Sequence, residues 1–241
     1  MAGPFPHPRT VSRTRSWARD LHRAALLLGI GGAVYWFSFG LGRRSLYLPG
    51  LGTMYVDLLA AWIAILLQVA AWPSLWDGLR GLRARHPRDA NPRIAWRSFL
   101  TAVLLALAPL AVLPLQYHAF SSAGASVLVL YVTVFPFVPW TFIPLLVLHA
   151  ILFGRVANYL EPRGRHVADL GALLLFAVAA VTSAVIIEHP DPNAFMRSWS
   201  VGRGLLPAAA FAGYALIAVG LTLHVVPSGA RARARAAHGA R

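Results

Sequence analysis

The chain contains no cysteine and no lysine, and charged residues are scarce. All 22 basic residues are arginine, and charged side chains make up only 12% of the 241 residues. The absence of cysteine excludes disulfides, iron–sulfur ligation and thiolate zinc sites. The absence of lysine excludes Schiff-base chemistry and every other mechanism that needs a side-chain amine. Since a typical soluble domain is about 25% charged, the composition excludes a soluble enzyme domain, a disordered chain and a nucleic-acid module.

Apolar residues are abundant instead, at 58% of the chain, and the mean hydropathy is +0.60. Six apolar stretches are long enough to cross a hydrocarbon core of about 30 Å, which takes about 20 helical residues. They cover residues 24–41, 51–72, 99–117, 125–153, 170–187 and 205–226. Backbone groups in hydrocarbon must be satisfied within their own segment, so each stretch is expected to be a helix. The sequence predicts an all-α integral membrane protein with six transmembrane helices, a basic N-terminal segment (1–23) and a basic disordered tail (227–241).

The arginines predict how these helices are oriented. Eighteen lie before the first stretch, between the second and third, between the fourth and fifth, or after the sixth. The other side would hold only Arg43, Arg44, Arg197 and Arg203. Because cytoplasmic loops carry an excess of basic residues, both termini are predicted to be cytoplasmic. This distribution predicts a multi-pass protein of the bacterial inner membrane, with the lipid bilayer rather than nucleic acid as its partner.

The fourth stretch is unusual in its prolines. Pro136, Pro139 and Pro144 fall within nine residues, close to Trp140. Each proline removes a backbone donor and clashes with the preceding turn, so the fourth helix is predicted to be kinked or broken. A broken helix can line a substrate or ion site. A kink that serves packing alone is the alternative, because proline is common in membrane helices.

The residues that follow the second stretch predict a separate short helix. From Trp72 to Arg83, large apolar residues recur on one helical face, while Asp77, Arg80 and Arg83 lie on the other. This amphipathic pattern is typical of a helix lying in the cytoplasmic membrane interface.

A first candidate site lies at the predicted outer side of the membrane. Asp57 lies about two turns inside the second stretch, His118 follows the third, and Glu188 and His189 follow the fifth. Together with Trp140, these side chains predict a site for a transition metal, a proton or a small ligand. The alternative is a solvated rim in which Asp57 pairs with an arginine.

A second candidate site lies near the predicted inner boundary. His149 in the fourth stretch and His224 in the sixth are expected at similar depth. Two histidines on facing helices at one level are what axial ligation of haem b requires. The alternative is a pair of interfacial histidines whose polar tips reach the headgroups.

These observations favour a small polytopic membrane binding or transport component with an outward-facing polar site. Three alternatives remain open at this point. They are a b-type haem electron-transfer subunit, a membrane-embedded enzyme acting on a lipidic substrate, and an accessory subunit that works with other membrane subunits in a larger complex.

Overall fold

A computed structural model of the chain describes residues 16–40, 45–48, 52–122, 138–188 and 202–225. The elements are, in chain order, α1 (Ser16–Gly40), β1 (Ser45–Leu48), β2 (Gly52–Tyr55), α2 (Val56–Arg85), α3 (Ala90–Ser122), α4 (Val138–Ala157), α5 (Pro162–Glu188) and α6 (Gly202–Val225). The two strands pair antiparallel, with Ser45 opposite Tyr55. In these residues the predicted helical architecture with six helices is confirmed, and the hairpin is the one addition to it.

Local sequence explains where α3 and α5 begin. The Asp89 carboxylate accepts a hydrogen bond from the Asn91 backbone N–H, 3.1 Å away, so Asp89 caps α3 in the usual manner of an N-terminal aspartate. The Glu161 carbonyl accepts the first bond of α5 from the Arg165 N–H at 2.8 Å. Pro162 then occupies the first helical position, where its missing N–H has no helical partner to lose.

The helices pack as antiparallel neighbours around α1 and α6. Helix α1 lies between α2 and α6, α6 packs on α5, α5 on α4, and α4 on α3. The Trp17 and His224 rings lie 5.5 Å apart at one end of α1 and α6, and Gly29 lies against Tyr214 further along. Helices α2 and α3, although consecutive in the chain, contact each other only sparsely.

Glycines bring α5 and α6 together backbone to backbone. A Cβ atom on Gly164 would lie 2.5 Å from the Gly220 carbonyl oxygen, and one on Gly171 would lie 2.5 Å from the Gly213 oxygen. The relation is reciprocal, because a Cβ on Gly220 would meet the Gly164 oxygen at 2.5 Å. Small residues that let helix backbones approach are typical of membrane helix pairs. We call this contact the glycine interface.

The prediction of a separate interfacial helix from Trp72 to Arg83 is wrong. Helix α2 runs without interruption through Pro73 to Arg85. The apolar face of its last turns is fully buried, at Leu75, Leu79 and Leu82. That face packs on α1 because Gly78 has no side chain: a Cβ there would lie 2.7 Å from the Leu21 side chain. The amphipathic pattern therefore reflects packing against a helix rather than against headgroups.

Helix α4 is unbroken within the residues that the structure describes. It begins at Val138, so Pro139 lies in the first turn, where proline is tolerated. The helix continues through Pro144 to Ala157. The prediction of a break is therefore wrong at Pro144, which α4 accommodates. The part of the fourth stretch before Val138 lies outside the described residues, so a break there stays a prediction. Pro136 lies outside the described residues.

One stretch of the described residues, Pro162–Val185 in α5, is both long and apolar enough to cross a membrane, with a mean hydropathy of 2.0. Ile143–Ala157 and Ala208–His224 are apolar but shorter. Large apolar side chains are nevertheless exposed on all six helices; they include Ile30, Leu66, Leu104, Ile151, Leu173 and Val219.

Charged side chains concentrate at one end of the bundle. This end comprises residues 16–23, 77–97 and 155–169 with the last turn of α6, and we call it the basic end. Arginines outnumber carboxylates there by eleven to five. Trp17 contacts both Gly81 and His224, and Tyr159 bonds to Asp89, so these segments lie together. All arginines of the basic end are among those predicted to be cytoplasmic.

Candidate functional site: polar contacts along helix α6

A histidine–tyrosine pair is buried in the middle of the bundle. The Nδ1 atom of His149 on α4 is hydrogen-bonded to the Tyr214 hydroxyl of α6, with the two atoms 2.7 Å apart. The exposed fractions are 6% for His149 and 4% for Tyr214. The Phe153 and Tyr214 rings pack edge to face, and the absent side chain of Gly29 leaves room for Tyr214 beside α1. The pair therefore joins α4 to α6 in an apolar setting.

The hydrogen bond leaves one polar hydrogen of this pair without a described acceptor. If the Tyr214 hydroxyl donates to Nδ1, the neutral His149 ring carries its hydrogen on Nε2; if Nδ1–H donates, the hydroxyl hydrogen remains. Neither group has a second hydrogen bond to any residue whose side chain the structure describes. A buried donor without an acceptor costs about 1–3 kcal/mol. Such a group in an apolar bundle is a candidate for function.

A second histidine joins α1 to α6 closer to the basic end. His22 Nδ1 lies 2.9 Å from the Ala218 carbonyl oxygen and 3.1 Å from the Thr222 hydroxyl. Thr222 also donates to the Ala218 oxygen at 2.9 Å. Because a carbonyl can only accept, His22 carries its hydrogen on Nδ1.

A third histidine lies in the last turn of α6. His224 Nδ1 accepts a hydrogen bond from the Glu161 backbone N–H at 3.3 Å, and its ring lies against Trp17. His224 therefore connects α6 to both α1 and the loop that precedes α5.

These contacts form a series along one helix. Helix α6 rises about 1.5 Å per residue, so Tyr214 lies about 12 Å from Thr222 and about 15 Å from His224 along the axis. We call the six residues of this series the α6 polar series and take them as the candidate site. They are Tyr214, Thr222 and His224 of α6 and their partners His149, His22 and Glu161. The α6 polar series extends from the buried core to the basic end. Because imidazoles are the side chains that transfer protons near neutral pH, its three histidines make proton transfer the chemistry to test.

Two loops are tied together beside this series. The Tyr159 hydroxyl donates to the Asp89 carboxylate, the His86 ring lies 4.5 Å from the Tyr159 ring, and Arg155 donates to the Asn91 side chain at 3.2 Å. The bond from Tyr159 is the main cause of the lowered pKa of Asp89. Burial and the bond to Asp89 raise the pKa of Tyr159 to about 12. We call these five residues the loop clamp, because they join the α2–α3 loop to the α4–α5 loop.

The residues predicted to form the outer site are only partly described. Asp57, His118 and Trp140 belong to α2, α3 and α4, and their side chains lie outside the described part of the structure. Glu188 is the exposed last residue of α5, and His189 lies outside the described residues. Within the described part, no three His, Asp or Glu side chains come together in a way that could hold a metal ion.

The structure does not bring His149 and His224 together. His149 contacts Tyr214, which precedes His224 by ten residues on α6, and this separation is about 15 Å along the axis. Axial ligands of one haem must face each other across the iron at a single level. The equal depth expected from the sequence assumed that both histidines lie at the helix ends, whereas α4 continues eight residues beyond His149.

Sequence reasoning missed Tyr214, His22, Thr222 and Asp89. The partners of Tyr214 and His22 lie 65 and 196 residues away in the chain, so no local pattern could pair them. Asp89 did carry a readable signal, because aspartate before Ala90 and Asn91, with a proline in the first turn, is an N-cap pattern.

Comparison with known proteins gives no relative: no family model matches the chain, and neither a curated protein nor a solved structure matches it.

Proposed function

We propose that this chain is a small multi-pass membrane protein of the binding or transport class, with six membrane-crossing helices and its basic end in the cytoplasm. Two features support the membrane setting. Every helix carries exposed large apolar side chains, which hydrocarbon would cover. The arginines of the basic end lie where the excess of positive charge on the cytoplasmic side would place them.

The α6 polar series supports a proton or a small ligand as the cargo. The carrying observation is the His149–Tyr214 pair, which is buried, hydrogen-bonded at 2.7 Å and left with one donor unpaired among the described groups. Ionisable side chains inside membrane helices commonly serve proton relays and substrate pathways. In this proposal, His149 receives the cargo from the predicted outer site around Asp57, His118 and Glu188, and passes it towards His22 and His224.

Proton flux into liposomes tests the proposal. The full-length protein is reconstituted with a pH-sensitive dye inside the vesicles, and a potassium diffusion potential drives protons inwards. We expect flux above that of empty liposomes, and we expect most of it to be lost in His149→Gln. Glutamine keeps a hydrogen-bonding group near Tyr214 and cannot titrate, so the loss would reflect proton transfer rather than unfolding.

His166→Gln is the matched control, because His166 is an exposed histidine of α5 outside the α6 polar series. Its flux should equal that of the wild type. Equal flux in the wild type and in His149→Gln, or no flux above empty liposomes, would contradict proton transport through this pair.

A further inference from the structure

The sparsely packed α2–α3 pair has an ordered pattern on its exposed face. Reading from the basic end, α2 presents Arg83, Arg80 and Trp76, followed by Val69 and Leu66, at spacings of three, four, seven and three residues. Such spacings keep residues on one side of a helix. Leu66 is 64% exposed and Trp76 43% exposed. The face is therefore basic at one end, aromatic next and aliphatic beyond.

Helix α3 repeats this pattern beside it. Arg97 lies next to Trp96, and Leu100, Leu104 and Leu107 follow on the same side of the helix. All three leucines are exposed, Leu104 by 69%. The Trp76 and Trp96 rings are in contact, with centroids 4.6 Å apart, so the two faces adjoin at the level of the tryptophans. Phe99 lies beneath both rings.

The arginines at this level have no partner among the described residues. Arg80 and Arg97 are exposed, and neither forms a hydrogen bond or ion pair with a residue in the described ranges. Three other arginines of the basic end are engaged: Arg93 donates to two backbone oxygens, Arg155 to Asn91 and Arg165 to Asp169. Arg80 lies one turn from Trp76 on α2, and Arg97 follows Trp96 on α3, so both exposed arginines lie near the same aromatic pair along their helices.

The described part of this face is long enough to span one leaflet of a bilayer. Thirteen positions lead from Trp76 to Ile63, which is 43% exposed, and eleven lead from Trp96 to Leu107, so the face extends over at least about 16–20 Å of helix. Half of a hydrocarbon core of about 30 Å is about 15 Å thick. Tryptophan favours the boundary between headgroups and hydrocarbon.

We propose that the α2–α3 face binds one anionic phospholipid of the cytoplasmic leaflet. Arg80 and Arg97 hold the phosphate of its headgroup, Trp76 and Trp96 pack against its glycerol region, and its acyl chains cover Val69, Leu66, Leu100 and Leu104. The charge of the arginines selects an anionic lipid over a zwitterionic one. This inference rests on the membrane orientation proposed above and not on proton transport.

Native mass spectrometry of the full-length protein tests the site. The protein is extracted from vesicles of equal phosphatidylglycerol and phosphatidylcholine content, and the lipids that it retains are counted. We expect one phosphatidylglycerol per chain in the wild type. The double variant Arg80→Gln/Arg97→Gln should lose about 25-fold in preference, since each arginine near an anionic surface contributes roughly fivefold.

The control removes the same charge elsewhere on the basic end, in Arg19→Gln/Arg163→Gln, where both arginines are exposed on α1 and α5. It should retain phosphatidylglycerol like the wild type. Equal loss in both double variants would overturn the site in favour of diffuse charge attraction. Equal retention of the two lipids, or a stable dimer that carries no lipid, would also overturn it. A chain that never enters vesicles would instead refute the membrane orientation itself.

Tryptophan fluorescence provides a second measurement that needs no arginine variant. Brominated phosphatidylglycerol should quench the emission of the wild type more strongly than brominated phosphatidylcholine. That excess should disappear in Trp76→Phe/Trp96→Phe. Equal quenching by both lipids in the wild type would contradict the proposal.

Discussion

The α5–α6 and α2–α3 pairs are both formed by helices consecutive in the chain, and they are packed in opposite ways. At the glycine interface, backbone atoms of α5 and α6 lie so close that added Cβ atoms would meet carbonyl oxygens at 2.5 Å. Between α2 and α3, the contacts described involve aromatic side chains near the basic end, such as Trp76 on Trp96. Further from the basic end, the apolar side chains of the α2–α3 face, such as Leu66 and Leu104, are exposed.

The difference separates a fixed part of the bundle from an accessible one. Backbone contact leaves no freedom for side chains to adjust, so the glycine interface holds α5 and α6 in one arrangement and supports the α6 polar series. Contact through aromatic tips leaves an apolar face open beside α2 and α3. We therefore expect substitutions to be costly at the first pair and tolerated at the second.

The largest effect is expected for Gly171→Ala. Its Cβ would lie 2.5 Å from the Gly213 oxygen and 2.9 Å from the Ile217 side chain, so the two backbones must separate, at a cost of about 3 kcal/mol in the free energy of unfolding. The measurement is unfolding in mixed detergent micelles. Gly154→Ala is the control, because its Cβ would meet Ala172 at an ordinary 3.9 Å. If both variants unfold like the wild type, the glycine interface does not hold the bundle together.

A smaller loss is expected for Trp96→Leu on the accessible side. Leucine keeps much of the apolar burial and removes the contact with Trp76, which is worth about 0.5–1.5 kcal/mol. The same unfolding experiment compares it directly with Gly171→Ala. If Trp96→Leu lost as much stability as Gly171→Ala, the α2–α3 pair would be packed as tightly as the α5–α6 pair, which would contradict the difference described above.

The loop clamp should contribute to the stability of the folded protein in a way that depends on pH. Tyr159→Phe removes the bond to Asp89 and should lower the melting temperature at neutral pH. Because the pKa of Asp89 is lowered from 3.8 in the folded state, this contribution is complete above pH 3.8 and is lost as the pH falls through the lowered value. Melting curves of both proteins across this acid range check it. A difference that stays constant with pH would show that Asp89 is not the partner.

The smallest effect, and of opposite sign, is expected at Asp20 on the basic end. Burial and the nearby Asp77 raise the pKa of Asp20 above 3.8, so the ionised form is disfavoured in the folded state. Asp20→Asn should raise the melting temperature slightly at neutral pH. The gain should vanish below pH 3.8, where Asp20 is protonated in both states. Asp169→Asn, which removes an ion pair with Arg165, should give no such gain.

The sequence predicted the helices better than their contacts. Apolar runs and flanking arginines indicated six helices, because both follow from local composition. The continuity of α2 was missed, because Leu75, Leu79 and Leu82 would look the same against lipid as against Leu21. The His149–Tyr214 pair was missed because neither residue carries information about which helix lies opposite.

The depth of His149 within the bundle was also predicted incompletely from the sequence. Its position in the run suggested a place near the inner boundary, whereas α4 continues to Ala157 and its loop adds more residues before α5. Depth depends on where a helix ends, and α4 ends in a turn in which the Tyr159 and Leu160 N–H groups donate to the Val156 and Ala157 carbonyl oxygens, a feature that the apolar run does not reveal.

We expect α5 to cross a membrane with its first residue at the cytoplasmic side. The chain lacks cysteine, so single cysteines can be placed at its two exposed ends, in Arg163→Cys and Glu188→Cys. In intact cells treated with a membrane-impermeant maleimide, we expect labelling at position 188 alone, with labelling at position 163 only after permeabilisation. Labelling of both sites in intact cells, of 163 alone, or recovery of the protein in the soluble fraction would contradict it.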